Sequence, residues 1–322
     1  MPAPQFYPTI RNTGPKELEE IELAADESFR VTRRGALHKL EIAKGWRAEL
    51  RRLWDRYPIE EVFLNGMFGW SDPDISFLRD LPNLKGLSLY PHSYFTWNTV
   101  EYLKALEELQ MPVVPRRPEI VVDFSALQRL RRVRVHWWPE WSSLLTNGSV
   151  QSLAVQDSKK LRALECGAMT SLRELRLIRC DKCEILRLSA SHKLLGLEVS
   201  LCPKFANVVP DSCLASLEYL WIHGPIAFDY LRVRNFSKLR QITLDNMGKL
   251  PSLRFLGELK NLDYLAFGLG TVVLDGDLTF LDHLPELKAA SYDKSHKNYF
   301  PKRSSDWWEM LKSRRAGAGW TF

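Results

Sequence analysis

The sequence lacks several features that would place it in a membrane or outside the cell. It has no run of about 18 uncharged apolar residues, which a membrane-spanning helix requires. Its first residues, MPAPQFYPTIRNTG, do not combine a basic stretch with an apolar one, so no secretory signal is expected. Its five cysteines are few, scattered and odd in number, unlike those of a disulfide-stabilised secreted domain. These absences predict a cytoplasmic protein without membrane contact.

The common catalytic signatures are missing as well. No phosphate-binding loop, G-x-S-x-G elbow or H-E-x-x-H metal motif occurs in the chain. The composition, 45% hydrophobic and 26% charged, is nevertheless that of a folded globular protein. We therefore expect a folded protein that is not an enzyme, with no catalytic residue and no cofactor.

What the chain does contain is a repeated leucine pattern. Residues 172–177, LRELRL, form an L-x-x-L-x-L word, and residues 194–199, LLGLEV, repeat it 22 residues later. Similar words begin at Leu37, Ile59, Leu84, Leu106, Leu130, Val150, Leu172, Leu194, Leu217, Leu239, Leu262 and Leu287. Their spacings are 22, 25, 22, 24, 20, 22, 22, 23, 22, 23 and 25 residues. Chance clustering of apolar residues would not hold such a period, so the repeat is real.

The word resembles the repeat of leucine-rich repeat proteins of an irregular, bacterial-like type, which have Asn or Cys at the ninth position. Cys180 and Cys202 match that position, whereas Ser158, Met247 and Gly270 depart from it. The resemblance implies an α/β repeat solenoid, a horseshoe or arc with a parallel β-sheet on its concave face. It also implies that this face binds protein partners. We assign residues 1–36 to an N-terminal cap, 37–292 to the solenoid and 293–322 to a C-terminal cap and tail.

The return segments between the words differ along the chain. In KGWRAELRRLWDRYP, the residues Trp46, Leu50, Leu53 and Trp54 fall on one helical face, and FTWNTVEYLKAL has a similar pattern. Helical returns are therefore predicted for the N-terminal half. From Val150 onward a weaker second word begins eleven residues after the first, at Leu161, Cys183, Phe205, Phe228 and Leu250. This shorter period predicts extended returns in the C-terminal half.

Both ends of the array need a cover, because an open solenoid exposes apolar edges. At the N-terminus the sequence fits either a capping strand over 18–23 or one amphipathic helix over 16–29, and both alternatives stay open. At the C-terminus, Ser305 is placed to cap a short helix. The apolar residues of that helix would cover the last coil: Trp307, Trp308 and Leu311.

One cluster has part of the spacing of a zinc site, namely Cys180, Cys183, His192, Cys202 and Cys213. The repeat register argues against a metal. Cys180 and Cys202 fill the ninth position of different coils, and Cys183 replaces an inward leucine. We therefore predict structural cysteines and no metal site.

Side chains alternate along a strand, so the third, fifth and seventh residues of each word should face outward. Of these 36 positions, seven are acidic and four are basic, which gives the front a charge of −3 although the whole chain carries +6. The acidic residues are Glu41, Glu61, Glu108, Glu174, Glu198, Asp245 and Asp293, and the basic ones are Lys39, Arg132, Arg134 and Arg176. This charge argues against nucleic acid on the concave face and favours a basic partner.

Tryptophan, tyrosine and arginine concentrate binding energy because they bury a large area with few rotatable bonds. Outward residues of this kind occur in two groups, with charged positions between them. The predicted partner-binding residues are Arg132, Arg134, His136, Trp138, Glu174, Arg176, Glu198, Tyr219, Trp221 and His223. The two histidines lie four strands apart, roughly 19 Å, too far for a shared proton relay.

These observations predict a non-catalytic protein–protein interaction module that binds a protein partner on its concave face. The specific hypothesis is an inhibitor or immunity protein that blocks a basic toxin or nuclease. Two alternatives stay open: a scaffold that joins host proteins, and a nucleic-acid binder that uses a basic back surface.

Overall fold

The computed structural model describes residues 19–66, 69–81, 83–90, 97–114, 118, 121–224, 227–293, 296–307 and 309–310. The described residues form two compact units, one up to residue 156 together with 167–172 and the other from 157 to 166 together with those from 173 onward. Among the described residues, no helix is both long enough and apolar enough to cross a bilayer.

In its described residues, the first unit contains eight strands. In chain order they are β1 (Glu19–Leu23), β2 (Phe29–Arg34), β3 (Leu37–Ile42), β4 (Ile59–Asn65), β5 (Gly86–Tyr90), β6 (Glu108–Met111), β7 (Arg132–His136) and β8 (Ser152–Gln156). The strands β1, β2 and β3 pair antiparallel, and every later pair is parallel. Of the two N-terminal alternatives, the strand is the one observed. Leu18, where the predicted capping strand starts, lies outside the described residues.

Helical turns return the chain between the parallel strands of the first unit. They are α1 (Arg52–Arg56) and the 3-10 helices Ala48–Arg51, Ser76–Asp80, Trp97–Tyr102, Phe124–Ala126 and Pro139–Thr146. Leu50 and Leu53 are buried as their helical spacing predicts, and Trp46 stacks on Phe77 with ring centroids 4.1 Å apart. The predicted helical returns are thus present, mostly as tight 3-10 turns because each coil leaves few residues for a full α-helix.

The second unit has a front sheet of six parallel strands, with short strands on its back. The front strands are β10 (Glu174–Ile178), β12 (Gly196–Ser200), β14 (Tyr219–His223), β15 (Gln241–Asp245), β17 (Tyr264–Gly268) and β19 (Ala289–Ser291). On the back, β9 (Ala163–Glu165), β11 (Ile185–Arg187) and β13 (Asn207–Val209) form one sheet. A second pair consists of β16 (Lys249–Leu250) and β18 (Val272–Val273).

The extended returns predicted for this half occur where the second words begin at Leu161, Cys183 and Phe205. Later returns also contain 3-10 helices, at Asp211–Ser216, Tyr230–Asn235, Arg254–Glu258 and Thr279–His283. The word at Phe228 leads into a helix instead of a strand. The carboxylate of Asp229 accepts the backbone N–H of Leu231 at 3.0 Å, and such a cap favours a helical start over an extended one.

Inward residues of the words form the core of each unit. In the strand β10, Leu175 and Leu177 are buried between the half-buried Glu174, Arg176 and Ile178. A fully buried leucine stabilises the fold by about 1.5–3 kcal/mol relative to an exposed one. The parallel register repeats this burial from strand to strand, so the outward residues form continuous rows.

The C-terminal segment packs against the last coils. The backbone N–H of Phe300 donates to the Gly276 carbonyl at 2.8 Å, and the N–H of Leu278 donates to the Phe300 carbonyl at 2.7 Å. Gly276 has a φ of +63°, and a Cβ there would lie 1.9 Å from the backbone oxygen of Asn298. Only glycine permits this close approach.

A buried arginine joins this segment to the final helical residues. The Arg303 guanidinium lies 4.7 Å from the centre of the Trp307 ring, and only 6% of the Arg303 side chain is exposed to solvent. Ser304 accepts the backbone N–H of Trp307 at 3.2 Å, so the helix cap lies one residue before the predicted Ser305. The other two predicted covering residues, Trp308 and Leu311, lie outside the described part of the chain.

Candidate functional site

The register of the second unit arranges its outward residues in three rows across the front face. The first row is Glu174, Gly196, Tyr219, Gln241, Tyr264 and Ala289. The second row is Arg176, Glu198, Trp221, Thr243, Ala266 and Ser291. The third row is Ile178, Ser200, His223, Asp245 and Gly268. Six of the predicted binding residues of this unit therefore share one face.

The strand β14 presents three of them side by side. Tyr219, Trp221 and His223 are half-buried and alternate with the buried Leu220 and Ile222. The alternation is a direct consequence of strand geometry, in which successive side chains point to opposite faces. The strand thus offers two aromatic rings and an imidazole to a partner.

Asp245, on the next strand, adds an acidic group beside these rings. Its register partner is His223. Burial raises the pKa of the Asp245 carboxyl, while the neighbouring side chains of His223 and Trp221 act to lower it. The sequence predicts that Asp245 faces outward but does not identify it as a binding residue. Asp245 and Trp221 belong to different repeats, and their proximity arises only when the repeats stack.

Two predicted residues of the second row are tied to each other. Arg176 Nε lies 3.4 Å from Glu198 Oε2, and both side chains are largely shielded, with 25% and 14% exposed. Glu174 lies beside Gly196, where an added Cβ would be 3.6 Å from the Glu174 Cγ. Glu198 is thus paired within the protein, whereas Asp245 lies beside His223 on the strand at the other side of Trp221.

In the first unit, the two predicted arginines of β7 are held by neighbouring strands. Arg132 Nη2 lies 2.7 Å from Glu108 Oε2, and Arg134 Nε donates to Gln156 Oε1 at 2.8 Å. Gln156 is buried, and its amide donates in turn to the Pro112 carbonyl. These bonds orient the guanidinium groups but leave Arg134 exposed.

His136 and Trp138 form the outer end of the same group. Their rings stack with centroids 5.5 Å apart and an interplanar angle of 22°. The Trp138 Nε1 donates to the Val114 carbonyl at 3.4 Å. Trp137 is buried and Trp138 is half-buried, so one of the two adjacent rings faces the core and the other the surface, as alternation requires.

The structure also shows an aromatic cluster that sequence reasoning missed. On the front of the first unit, Lys39 Nζ lies 4.4 Å from the centre of the Phe63 ring, and Phe63 meets Tyr90 edge-on at 5.3 Å. Each residue occupies an outward position of a different word. The sequence does contain a signal for this cluster, because Phe63 and Tyr90 are outward aromatic residues of two consecutive words.

All five cysteines are buried and carry free thiols. Cys202 Sγ accepts the backbone N–H of Cys180 at 3.3 Å, and Cys213 Sγ donates to the Ser189 carbonyl at 3.1 Å. His192 Nδ1 accepts the backbone N–H of the same Ser189 at 3.0 Å. Burial raises the pKa of Cys183 to about 12, which keeps this thiol protonated. In the described part of the chain, no three His, Cys, Asp or Glu residues converge as metal ligands would.

An open groove of about 540 Å³ lies along the edge of the second unit where the front strands begin. Its charged residues are of both signs, four basic and three acidic: Lys238, Arg240, Lys260, Lys288, Glu218, Asp263 and Glu286. Arg240 Nη2 is 2.7 Å from the buried Asp263 carboxylate. The pairing leaves a groove of mixed charge without the arrangement of a nucleophile and a base that catalysis requires.

No protein-family model matches the chain, and no curated protein sequence is similar to it. Among solved structures, internalin InlF from Listeria monocytogenes is 17% identical, with a TM-score of 0.48 over 79% of this chain and 86% of that one. Internalin C2 from the same species is 19% identical, with a TM-score of 0.37 over 66% and 82%. A leucine-rich repeat protein of Leptospira interrogans is 14% identical, with a TM-score of 0.31 over 84% and 91%. At such identities and scores the likeness bears on nothing beyond the fold.

Proposed function

We propose that this leucine-rich repeat protein is a non-catalytic module that binds a basic protein partner on the front face of its second unit. The proposal rests on three half-buried side chains of the strand β14, Tyr219, Trp221 and His223, which lie beside the acidic Asp245. Aromatic rings held half-exposed on a rigid strand supply binding area at a small cost in conformational entropy. Asp245 supplies the charge that a basic surface would complement.

A more specific hypothesis is that the module inhibits its partner by covering it, as an immunity protein against a cationic toxin or nuclease would. A protein without a catalytic group can inhibit its partner simply by covering the partner's active surface. The scaffold alternative is favoured by the second group of outward residues, Arg132, Arg134, His136 and Trp138, which could hold another protein.

The test is a pull-down with the wild-type protein and a Tyr219→Ala/Trp221→Ala double variant, followed by mass spectrometry of the bound proteins. We expect one basic protein to be recovered by the wild type and its affinity for the variant to fall at least about thirtyfold, as for a binding hot spot. A Tyr102→Ala variant is the matched control, because Tyr102 is an exposed aromatic residue on a return turn of the first unit.

Equal recovery by the wild type and the double variant would refute a front-face binder in the second unit. Loss of the partner in the Tyr102→Ala control would place the interaction on the returns. A circular dichroism spectrum equal to that of the wild type shows that each variant is folded.

A further inference from the structure

Three arginines occupy outward positions of the leucine words, and one of them differs from the other two in its partner. Arg132 and Arg176 each pair with a glutamate carboxylate on a neighbouring strand. Arg134 instead bonds the side-chain amide of Gln156 and forms no ion pair with any residue that the structure describes. Within the described part of the chain, the positive charge of Arg134 is therefore not neutralised.

The bond to Gln156 fixes the direction of the Arg134 guanidinium. Gln156 is buried, with 2% exposed, and its amide donates to the Pro112 carbonyl, so the acceptor is itself held in place. The bond uses the Arg134 Nε, at 2.8 Å from Gln156 Oε1, and neither terminal nitrogen bonds a described residue. A guanidinium can bond a carboxylate with two parallel N–H groups, and orienting it in advance lowers the entropy cost of that contact.

The neighbours of Arg134 on the front of the first unit leave it accessible and carry no unpaired acid. Arg134 is the exposed residue of β7, and its register partners are Gln110 on β6 and Ala154 on β8. Ala154 is short and buried, and the Gln110 amide donates to Glu108 at 2.6 Å. Glu108 is the only acid at the outward positions of β6, β7 and β8, and it is paired with Arg132. A carboxylate that approaches Arg134 therefore meets no unpaired negative charge on these strands.

Two stacked rings follow Arg134 along the strand. His136 comes two residues later on the same face of β7, at a spacing of about 6.5–7 Å. Trp138 stacks on His136, and its Nε1 donates to the Val114 carbonyl at 3.4 Å, so the ring pair is fixed as well. An extended peptide has the same spacing between alternate side chains, and one that follows β7 can contact the guanidinium and the rings together. We call Arg134, His136 and Trp138 the Arg134 site.

We propose that the Arg134 site binds an acidic segment of a protein partner. A glutamate or aspartate carboxylate of the segment bonds the terminal nitrogens of Arg134, and an apolar side chain two residues away packs on His136 and Trp138. A nucleic acid fits less well, because it needs several cations along its phosphates, whereas this site offers one and the outward front positions together carry −3. The site lies in the first unit, so the inference goes beyond the proposed function and does not depend on it.

The probe is the peptide acetyl-Gly-Glu-Gly-Leu-Gly-amide, and its control has glutamine in place of glutamate, which keeps the shape without the charge. The full chain labelled with 5-fluorotryptophan reports binding by 19F NMR, and a Trp138→Phe variant assigns the Trp138 signal. We expect the glutamate peptide at millimolar concentration to shift this signal and the glutamine peptide to leave it unchanged.

Two variants of the site and one control complete the experiment. Arg134→Gln removes the guanidinium at an exposed position, and Gln156→Glu keeps the size of the side chain but supplies a carboxylate from within the protein to neutralise Arg134. Each is expected to weaken binding of the glutamate peptide about tenfold. Arg131→Gln should bind as the wild type does, because Arg131 is an exposed arginine that precedes β7 and lies outside the outward positions.

Absence of a Trp138 shift, an equal response to the glutamine peptide, or equal binding by Arg134→Gln would overturn the site. An equal loss in Arg131→Gln would also overturn it, because attraction by net charge would then be sufficient. Should circular dichroism show that Gln156→Glu is unfolded, Arg134→Gln alone decides.

A single-stranded DNA oligonucleotide that shifts the Trp138 signal at a lower concentration than the glutamate peptide would overturn the assignment to a protein partner. All of these outcomes concern the first unit. The proposed function stands or falls separately, with the Tyr219→Ala/Trp221→Ala pull-down.

Discussion

At the scale of single residues, the turns after the front strands β8, β10, β12, β14, β15 and β17 repeat an unusual backbone conformation. The residue directly after the outward seventh position has a positive φ in successive coils: Asp157, Arg179, Leu201, Gly224, Asn246 and Leu269. For residues other than glycine and asparagine, this left-handed conformation costs roughly 1–2 kcal/mol. The repeated turn directs the chain toward the back of each coil. The free-energy cost of the left-handed conformation is tolerated where packing of the side chain offsets it.

Leu269 is a residue at which nothing visible compensates, so its replacement should stabilise the protein. It has a φ of 47° and is 68% exposed, and we expect Leu269→Asn to raise the free energy of unfolding by up to about 1 kcal/mol because asparagine tolerates this conformation. Urea unfolding followed by circular dichroism measures the change. The control is Leu274→Asn, at a leucine that is also exposed (53%) but has no positive φ, which should not gain stability.

At the scale of elements, short 3-10 returns begin with an aspartate whose side chain accepts a backbone N–H two residues later. Asp123 accepts from Ser125 at 3.0 Å, and Asp277 accepts from Thr279 at 2.8 Å. These bonds satisfy N–H groups that a short helix cannot pair by itself. They explain why several returns are helical turns although their apolar spacing also suits a strand.

Asp277 should make the stability of the second unit depend on pH. Hydrogen bonds from Thr279 and the charge of Arg254, whose Nε lies 2.6 Å from the carboxylate, hold the pKa of Asp277 below its ordinary value of 3.8. A depressed pKa stabilises the fold above about pH 4, and this contribution is lost as the pH falls below 3.8 through the folded value.

We therefore expect Asp277→Ala to lower the free energy of unfolding by about 1 kcal/mol at pH 7, a typical effect of removing a cap. The difference from the wild type should shrink as urea unfolding is repeated at progressively lower pH. Glu258→Ala, which removes an exposed carboxylate from the neighbouring 3-10 return, is the control and should have little effect. A constant difference at all pH values would contradict this account.

At the scale of the whole molecule, charge is unevenly divided. The outward positions of the front strands carry −3, whereas the complete chain carries +6. A polyanion is therefore repelled by the front rows and attracted elsewhere, while a basic protein has the opposite preference.

If the proposed basic partner binds the front face, this division predicts that a random-sequence DNA duplex does not displace it at physiological salt. Fluorescence anisotropy of a labelled partner, titrated with unlabelled duplex, measures the competition. Displacement by duplex, with an affinity that falls steeply as salt increases and that depends on Trp221, would instead support nucleic acid as the ligand of the front face.

Much of the fold follows from local rules that are readable in the sequence. The leucine period predicts a strand in each coil, and alternation predicts which residues face outward, because both depend only on neighbours along the chain. The helical turn after Phe228 and the shift of the C-terminal cap to Ser304 were not predicted, since each depends on one polar side chain that competes with the apolar pattern.

The sequence by itself determined the solenoid class, the strand register and the outward position of Trp221 and Tyr219. The tertiary structure alone decided which outward groups are paired with each other within the protein. Glu198 is paired with Arg176, and Arg132 with Glu108, through residues about one repeat away in the chain. A repeat brings such residues within strand spacing, where their sizes and charges combine, and no rule confined to a single word contains that combination.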